Sequence, residues 1–173
     1  MPNPHLTYCP ACGTQGLEHI EKQFHCPACH LELFFNPGTG VCAIILDPQG
    51  RLLVTIRAHE PEQGAWDLPG GFVDPGETAE HAILREIQEE LSVELQNITY
   101  LCSAANSHYH YKGITYQTTD LAFAGTVQYP ERIEAKDDVQ DYKWIALEDI
   151  DLAKFGFDSI RQIVSHYMTA VDA

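Results

Sequence analysis

An α/β domain preceded by a small metal-stabilised segment is the fold class that this sequence predicts, on three observations. Beyond about residue 38, β-type apolar runs alternate with two stretches of helical periodicity. Before residue 36, two Cys-x-x-Cys pairs sit in a segment too small for a hydrophobic core of its own. With 173 residues, 45% apolar and 20% charged, the chain has the composition of a soluble globular protein and room for one proper core plus an appendage. The expected division is 1–35 and 38–173.

The first segment reads YCPACGTQGLEHIEKQFHCPACH over residues 8–30. Cys9 and Cys12, then Cys26 and Cys29 after thirteen residues, form two knuckles that each turn two thiolates to one side, completing a tetrahedral all-sulfur Zn2+ site. Gly13, Pro10 and Pro27 suit such turns. The metal would then supply most of this segment's folding free energy. A redox pair is the competing reading, and the doubled motif argues against it. His30 has no necessary role beside four cysteines. The segment resembles a zinc ribbon. With Lys22 the only strong base between the knuckles, its expected role is structural or dimer-forming.

VCAIILD (41–47) and RLLVTIRA (51–58) read as two strands joined by a tight turn at Asp47-Pro48-Gln49-Gly50. EPEQGAWDLPGG is loop-like. Residues 78–91 are helical, with Ile83, Ile87 and Leu91 as the buried stripe. Further strands are expected at 98–105, 114–124 and 139–146. A last helix starts near Asp158 as N-cap, with Ile160, Ile163, Val164 and Tyr167 facing inward. Cys42, Cys102, Trp66 and Trp144 fall among apolar runs and read as core.

The formal net charge of −15 excludes generic nucleic-acid binding, since no basic cluster exists to displace counterions. An anionic substrate would need bridging divalent cations. The start, MPNPHLTYCP, lacks an apolar h-region and no run is long enough to span a membrane, so the expected compartment is the cytoplasm, with no membrane partner.

The acidic helix raises the functional question. Glu86 and Glu90 lie about 40° apart on the helix, and Glu89 about 60° from Glu86 on the other side, one fan of carboxylates that should repel. Ala79 and Ala82 fall on that face and leave room for an ion. Arg85 stands four residues before Glu89, within reach of its carboxylate. Gly70-Gly71 lets backbone approach a ligand and offers a carbonyl. Hard oxygen donors favour Mg2+ or Mn2+. The bland alternative is a solvated acidic face.

Gly71, Glu77 and the run Arg85-Glu86-Ile87-Gln88-Glu89-Glu90-Leu91-Ser92-Val93 are similar to the Nudix box, matching every fixed position of it except one. Ser92 stands where the motif has glycine; in the left-handed conformation it costs roughly 1 kcal/mol, or the helix ends differently. The resemblance implies an α/β/α sandwich around a mixed sheet, with the box as loop–helix–loop. It also implies Mg2+-dependent hydrolysis of a nucleoside diphosphate linked to another moiety. Carried over, Glu86 and Glu90 are the main Mg2+ ligands, Glu89 is ligand or base, the Gly70 carbonyl is a further ligand, and Glu77 with Arg85 orients the set. A later acidic residue supplies the base in many members. Glu131, Glu134, Asp137, Asp138 and Asp141 are candidates here.

Ribbon plus box resembles the NADH pyrophosphatase architecture, but the SQPWPFPxS signature of that group is replaced by SAANSHYHYKG. His108, Tyr109, His110 and Tyr111 alternate as on a strand, so that Tyr109 and Tyr111 are candidates for stacking on a nucleobase, against the plain reading of a half-exposed strand end. The loops 103–117 and 128–141 should select the substrate, and Lys112, Arg132 and Lys136 are their only strong bases. An ADP-ribose, FAD or NADH type of substrate, releasing AMP, is therefore expected. A nucleoside triphosphate or dinucleoside polyphosphate is the alternative substrate, and a non-catalytic nucleotide sensor or adaptor the alternative function.

Overall fold

A computed structural model describes residues 6–20 and 22–171. Eleven elements matter for the site: β1 (Glu18–Ile20), β2 (Gln23–His25), β3 (Glu32–Phe34), β4 (Gly38–Ile45), β5 (Leu52–Arg57), β6 (Trp66–Asp67), α1 (Ala79–Leu91), β7 (Leu95–Tyr111), β8 (Ile114–Val127), β9 (Val139–Ile145) and α2 (Asp158–Val171). The strands form three three-stranded sheets, β1-β2-β3, β4-β8-β7 and β6-β5-β9. β4 runs parallel to β8 while β7 runs antiparallel to it, so that sheet is mixed.

The helices cover opposite faces, and the residue alternation of β4 shows why. Val41, Ala43 and Ile45 point to a core that contains Ile83, Ile87 and Leu91 of α1. Cys42 and Ile44 point to a second core, with Ile160, Ile163 and Val164 of α2. A strand buried on both faces must read as a continuous apolar run, and this one does. Each fully buried Ile or Leu contributes about 1.5–3 kcal/mol. The result is the α/β/α sandwich that the sequence implied. Trp66 and Trp144 pack partly buried against these cores, as do Cys42, buried, and Cys102, half-buried.

Several details differ from expectation. The turn at 47–50 forms, closed by Gly50 N–H to Asp47 O at 2.9 Å and clasped by the Asp47 carboxylate, which accepts from the Gln49 and Arg51 amides. The strands it joins nevertheless part, β4 into the mixed sheet and β5 into its neighbour. Beyond the turn, one bridge at Leu46–Leu52 is their pairing. β7 runs to Tyr111, well past its expected end at 105, because Lys112-Gly113, both at positive φ, makes a two-residue hairpin turn into β8, which starts at Ile114 as expected and ends at Val127 rather than 124. Ala82 is wholly buried and Ala79 packs beside it in the α1 core, so neither opens space for an ion. Asp158 is the first residue of α2 rather than its cap, and its carboxylate pairs with Arg161.

Candidate active site

α1 starts cleanly because the Thr78 hydroxyl accepts from the His81 amide at 3.3 Å. It ends at Ser92, which takes φ 58° and donates its N–H to Gln88 O. The serine thus adopts the left-handed conformation glycine would.

Between these ends the glutamates are sorted by Arg85. Its guanidinium donates to both oxygens of Glu77 (3.1 and 3.0 Å), to Glu86 (2.8 Å), to Glu89 (2.9 Å) and to the Phe72 carbonyl (3.0 Å). Bidentate pairing fixes orientation as well as charge. The Arg85 bond holds the Glu77 carboxyl below its ordinary range, and Glu77 in turn raises the guanidinium. Glu90 stands apart, buried, accepting the Gly70 N–H at 2.9 Å. Burial pushes Glu90 well above the carboxylate range despite that bond, and burial raises Glu86 despite Arg85.

The loop 69–73 is laced onto β4 by Ala43 N–H to Pro69 O, Val41 N–H to Gly71 O and Val73 N–H to Thr39 O. The Gly70 carbonyl, between two bonded ones, has no hydrogen-bond partner among the described residues. Both glycines are required by close approach. A Cβ on Gly70, at φ 142°, would lie 2.1 Å from Val41 O, and one on Gly71 would lie 2.6 Å from the Glu86 carboxyl.

Gly70, Gly71, Arg85, Glu86, Glu89 and Glu90 line a cavity of about 360 Å3, while Glu77 stands behind Arg85 and outside that lining. Asp137 and Asp138 also line it, whereas Glu131, Glu134 and Asp141 do not. Glu134 pairs with Lys136 on the surface, and Asp141 turns back to accept from the Tyr142 amide. A second cavity of about 390 Å3 adjoins through Arg57, Phe72, Tyr109 and Asp138, and adds Tyr111 and Tyr116. Tyr109 packs edge-on to Phe72 (5.6 Å between ring centres) and stacks on Phe157 (5.5 Å). Tyr109 and Tyr111, two apart on β7, both line this second cavity, and Tyr109 rests on an aromatic shelf of Phe72 and Phe157.

The four cysteines cluster without any disulfide. Cys9 and Cys29 sulfurs are 3.6 Å apart, Cys12 and Cys26 3.7 Å, and all four lie within 4.8 Å of one another. Tetrahedral Zn–S bonds of about 2.3 Å place sulfurs about 3.8 Å apart, so the cluster is compatible with Zn2+. The knuckles match each other: Gly13 N–H bonds Cys9 O, and His30 N–H bonds Cys26 O. His30, at φ 60°, does the turning work of Gly13 (φ 73°) and is not a ligand. Among the described residues only these cysteines bring three or more ligand atoms together as they stand. The box glutamates are held instead on Arg85 and the Gly70 amide.

A model of the NUDIX domain matches residues 36–167. The chain belongs to the Nudix family. Among its relatives is the NAD-capped RNA hydrolase NudC of Pseudomonas putida F1, 27% identical over 163 residues that cover 93% of this chain and 55% of the relative. The chain thus spans about half the length of the curated relatives it matches. The fold is that of a NUDIX hydrolase from Nitrosomonas europaea, with TM-score 0.70 and 22% identity, covering 95% of this chain and 91% of that one. The NUDIX domain of Shewanella oneidensis NrtR, solved in complex with ADP ribose, superposes with TM-score 0.65 at 25% identity, covering 80% and 90%.

Sequence reasoning about this Nudix domain missed part of the lining of its cavity. Asn106, Thr118 and Asp120 line it, as do Arg57 and Asp67. Arg57 bonds Asp67 at 2.9 Å and lies over the Phe157 ring at 4.9 Å. Burial pushes Asp67 up to about 6 despite that partner. A second strong base besides Arg85 therefore reaches the site, from β5 and so from outside the loops expected to select the substrate. The usable signal was TTD directly before the apolar run LAFA, polar residues in mid-strand where β8 turns apolar. No described helix is long and apolar enough to cross a membrane.

Proposed function

We propose that the chain hydrolyses the pyrophosphate bond of a nucleoside diphosphate joined to another moiety, of the ADP-ribose, FAD or NADH type, releasing AMP. One observation carries this reading: the cavity holding Glu86, Glu90 and the unpartnered Gly70 carbonyl opens directly onto the Tyr109–Phe72 aromatic shelf. A diphosphate seated at the first places a base at the second. The NrtR domain's complex with ADP ribose supports the same substrate class.

The donor set fits hard divalent cations, since every candidate ligand is an oxygen and two are carboxylates that burial disfavours when charged and alone. Bound Mg2+ or Mn2+ would neutralise the diphosphate, acidify the attacking water and stabilise the leaving phosphate. Glu86, Glu90 and the Gly70 carbonyl would hold it, with Glu89 as ligand or base. Arg85 keeps Glu86 and Glu89 in place, itself anchored by Glu77. Asp137 or Asp138, which line the cavity, would otherwise take the water's proton. The water oxygen bonds one phosphorus as the bridging P–O bond breaks, so ADP-ribose yields AMP and ribose 5-phosphate.

The same reading makes residues 1–35 a structural Zn2+ ribbon beside a Nudix domain at 38–173. The NudC relatives are named for NAD-capped RNA. The charge of −15 disfavours an RNA tail here, so the small nucleotide is the substrate. Steady-state kinetics decide it. ADP-ribose, FAD or NADH should be turned over faster than any nucleoside triphosphate, with Mg2+ required. A triphosphate preferred by about tenfold or more would mean that the site reads phosphate number.

A further inference from the structure

We propose that Asn106, Thr118 and Asp120 bind the vicinal hydroxyls of the ribose in the base-bearing half of the substrate. The proposal rests on the reading of the cavity as the diphosphate site. Thr118 and Asp120 are two apart on β8 and so share a face, with Asn106 directly opposite Thr118 on β7. The next residue on that face, Ala122, is wholly buried in the α2 core beside Cys42 and Ala104. The sheet face thus changes from apolar to polar where it meets the cavity.

These polar groups have capacity to spare. Asn106 and Thr118 are each only 4% exposed. The Asn106 oxygen accepts from the His108 amide at 3.3 Å, but among the described residues neither its nitrogen nor the Thr118 hydroxyl bonds a protein group. Among the described residues no fully enclosed side-chain polar atom lacks a partner, so what remains open on these two faces the cavity they line. One Asp120 oxygen accepts from the hydroxyl of the wholly buried Ser159 on α2. The other leans over Gly40, where a Cβ would lie 2.2 Å away. The carboxylate is held by one element and given room by another.

Position selects the ligand. That same Cβ on Gly40 would lie 3.7 Å from the Gly71 carbonyl, and Gly71 in turn abuts Glu86. Asp120 is thus linked through Gly40 and Gly71 to Glu86, and all three polar residues line the same cavity as the glutamates. On the other side, a register shift between Asn106 and Tyr109 brings both to one cavity, although three residues of regular strand would oppose them. What lies between phosphate and base in a nucleotide is ribose. A diol offers two O–H donors to the carboxylate, and lone pairs to the Asn106 N–H and the Thr118 hydroxyl. A 2′-phosphate would meet Asp120 as a like charge.

Binding of AMP and of adenosine 2′,5′-bisphosphate to the full chain tests this, because neither ligand has a pyrophosphate to cut. AMP should bind at least roughly tenfold tighter, and Asp120→Asn should narrow the gap to within about threefold. Thr118→Val keeps the shape of the side chain and should weaken AMP several-fold, which carries the test if the Asp120 variant fails to fold. No AMP binding, equal binding of the two ligands, or a preference unmoved by Asp120→Asn overturns the proposal. Uncut ADP-ribose alongside a persisting AMP preference would instead overturn the hydrolase reading alone.

Discussion

Glu90 holds the sharpest conflict in the molecule, a carboxylate buried among other acids with one amide as its partner. Isolated burial of a charge is costly unless something compensates. Glu90→Gln keeps the shape and removes that cost, so the melting temperature in metal-free buffer should rise or hold. Turnover should fall by at least roughly 100-fold, as when one transition-state electrostatic contact is lost. A variant turning over at near wild-type rate would place the metal elsewhere. Arg85 shows what residue spacing reveals and what it leaves out. Its reach to Glu89 was legible from the four-residue offset. Its grip on Glu77 and on the Phe72 carbonyl depends on how the loop before α1 folds back, which no helical period encodes.

At the level of elements, α1 and the 111–114 hairpin differ in how much they disclosed. The stripe Ile83–Ile87–Leu91 is local, and the expected helix at 78–91 lies within a residue of the observed Ala79–Leu91, whose start the structure assigns to the Thr78 cap. Ser92 is local too, and its strain is now definite. Ser92→Gly should relieve about 1 kcal/mol of left-handed strain, offset partly by the greater chain entropy of glycine. The net gain of about 0.5 kcal/mol would read as a higher urea midpoint with unchanged slope. No side-chain hydrogen bond is lost, since Ser92 caps through its own N–H. A lower midpoint would show that the hydroxyl matters. The β7–β8 pair is a different case. Its bulge between Asn106 and Tyr109 moves one side chain set to the other face, and alternation in the sequence runs straight past it.

At the scale of the whole chain, the proposed reading joins two metal chemistries in one acidic molecule. Soft thiolates would hold Zn2+ and hard oxygens Mg2+, so the two should separate experimentally. Purified protein should contain one zinc per chain, lost when Cys9 and Cys26 are changed to serine, while catalysis still requires added Mg2+ or Mn2+. Four sulfurs within 4.8 Å of one another make this a quantitative expectation. Fully folded, zinc-free protein that is indifferent to the double substitution would defeat it. Metal removal should unfold the ribbon first, because among its described residues only Phe24, Cys9 and Cys26 are buried apolar ones, and two of these are the sulfur ligands themselves.

By itself the sequence determined the Nudix box, the cysteine knuckles, the layered α/β plan and the acidity that calls for divalent cations. Each of these is written in short-range spacing, where periodicity and ligand geometry act within a few residues. Only the tertiary structure decided which later acids reach the cavity, that β4 and β5 part into different sheets, and that Arg57, Asn106, Thr118 and Asp120 share a wall. Those residues come from β5, β7 and β8, up to 63 positions apart. Their meeting depends on strand order, on one bulge and on the absence of a side chain at Gly40, none of which has a period to read.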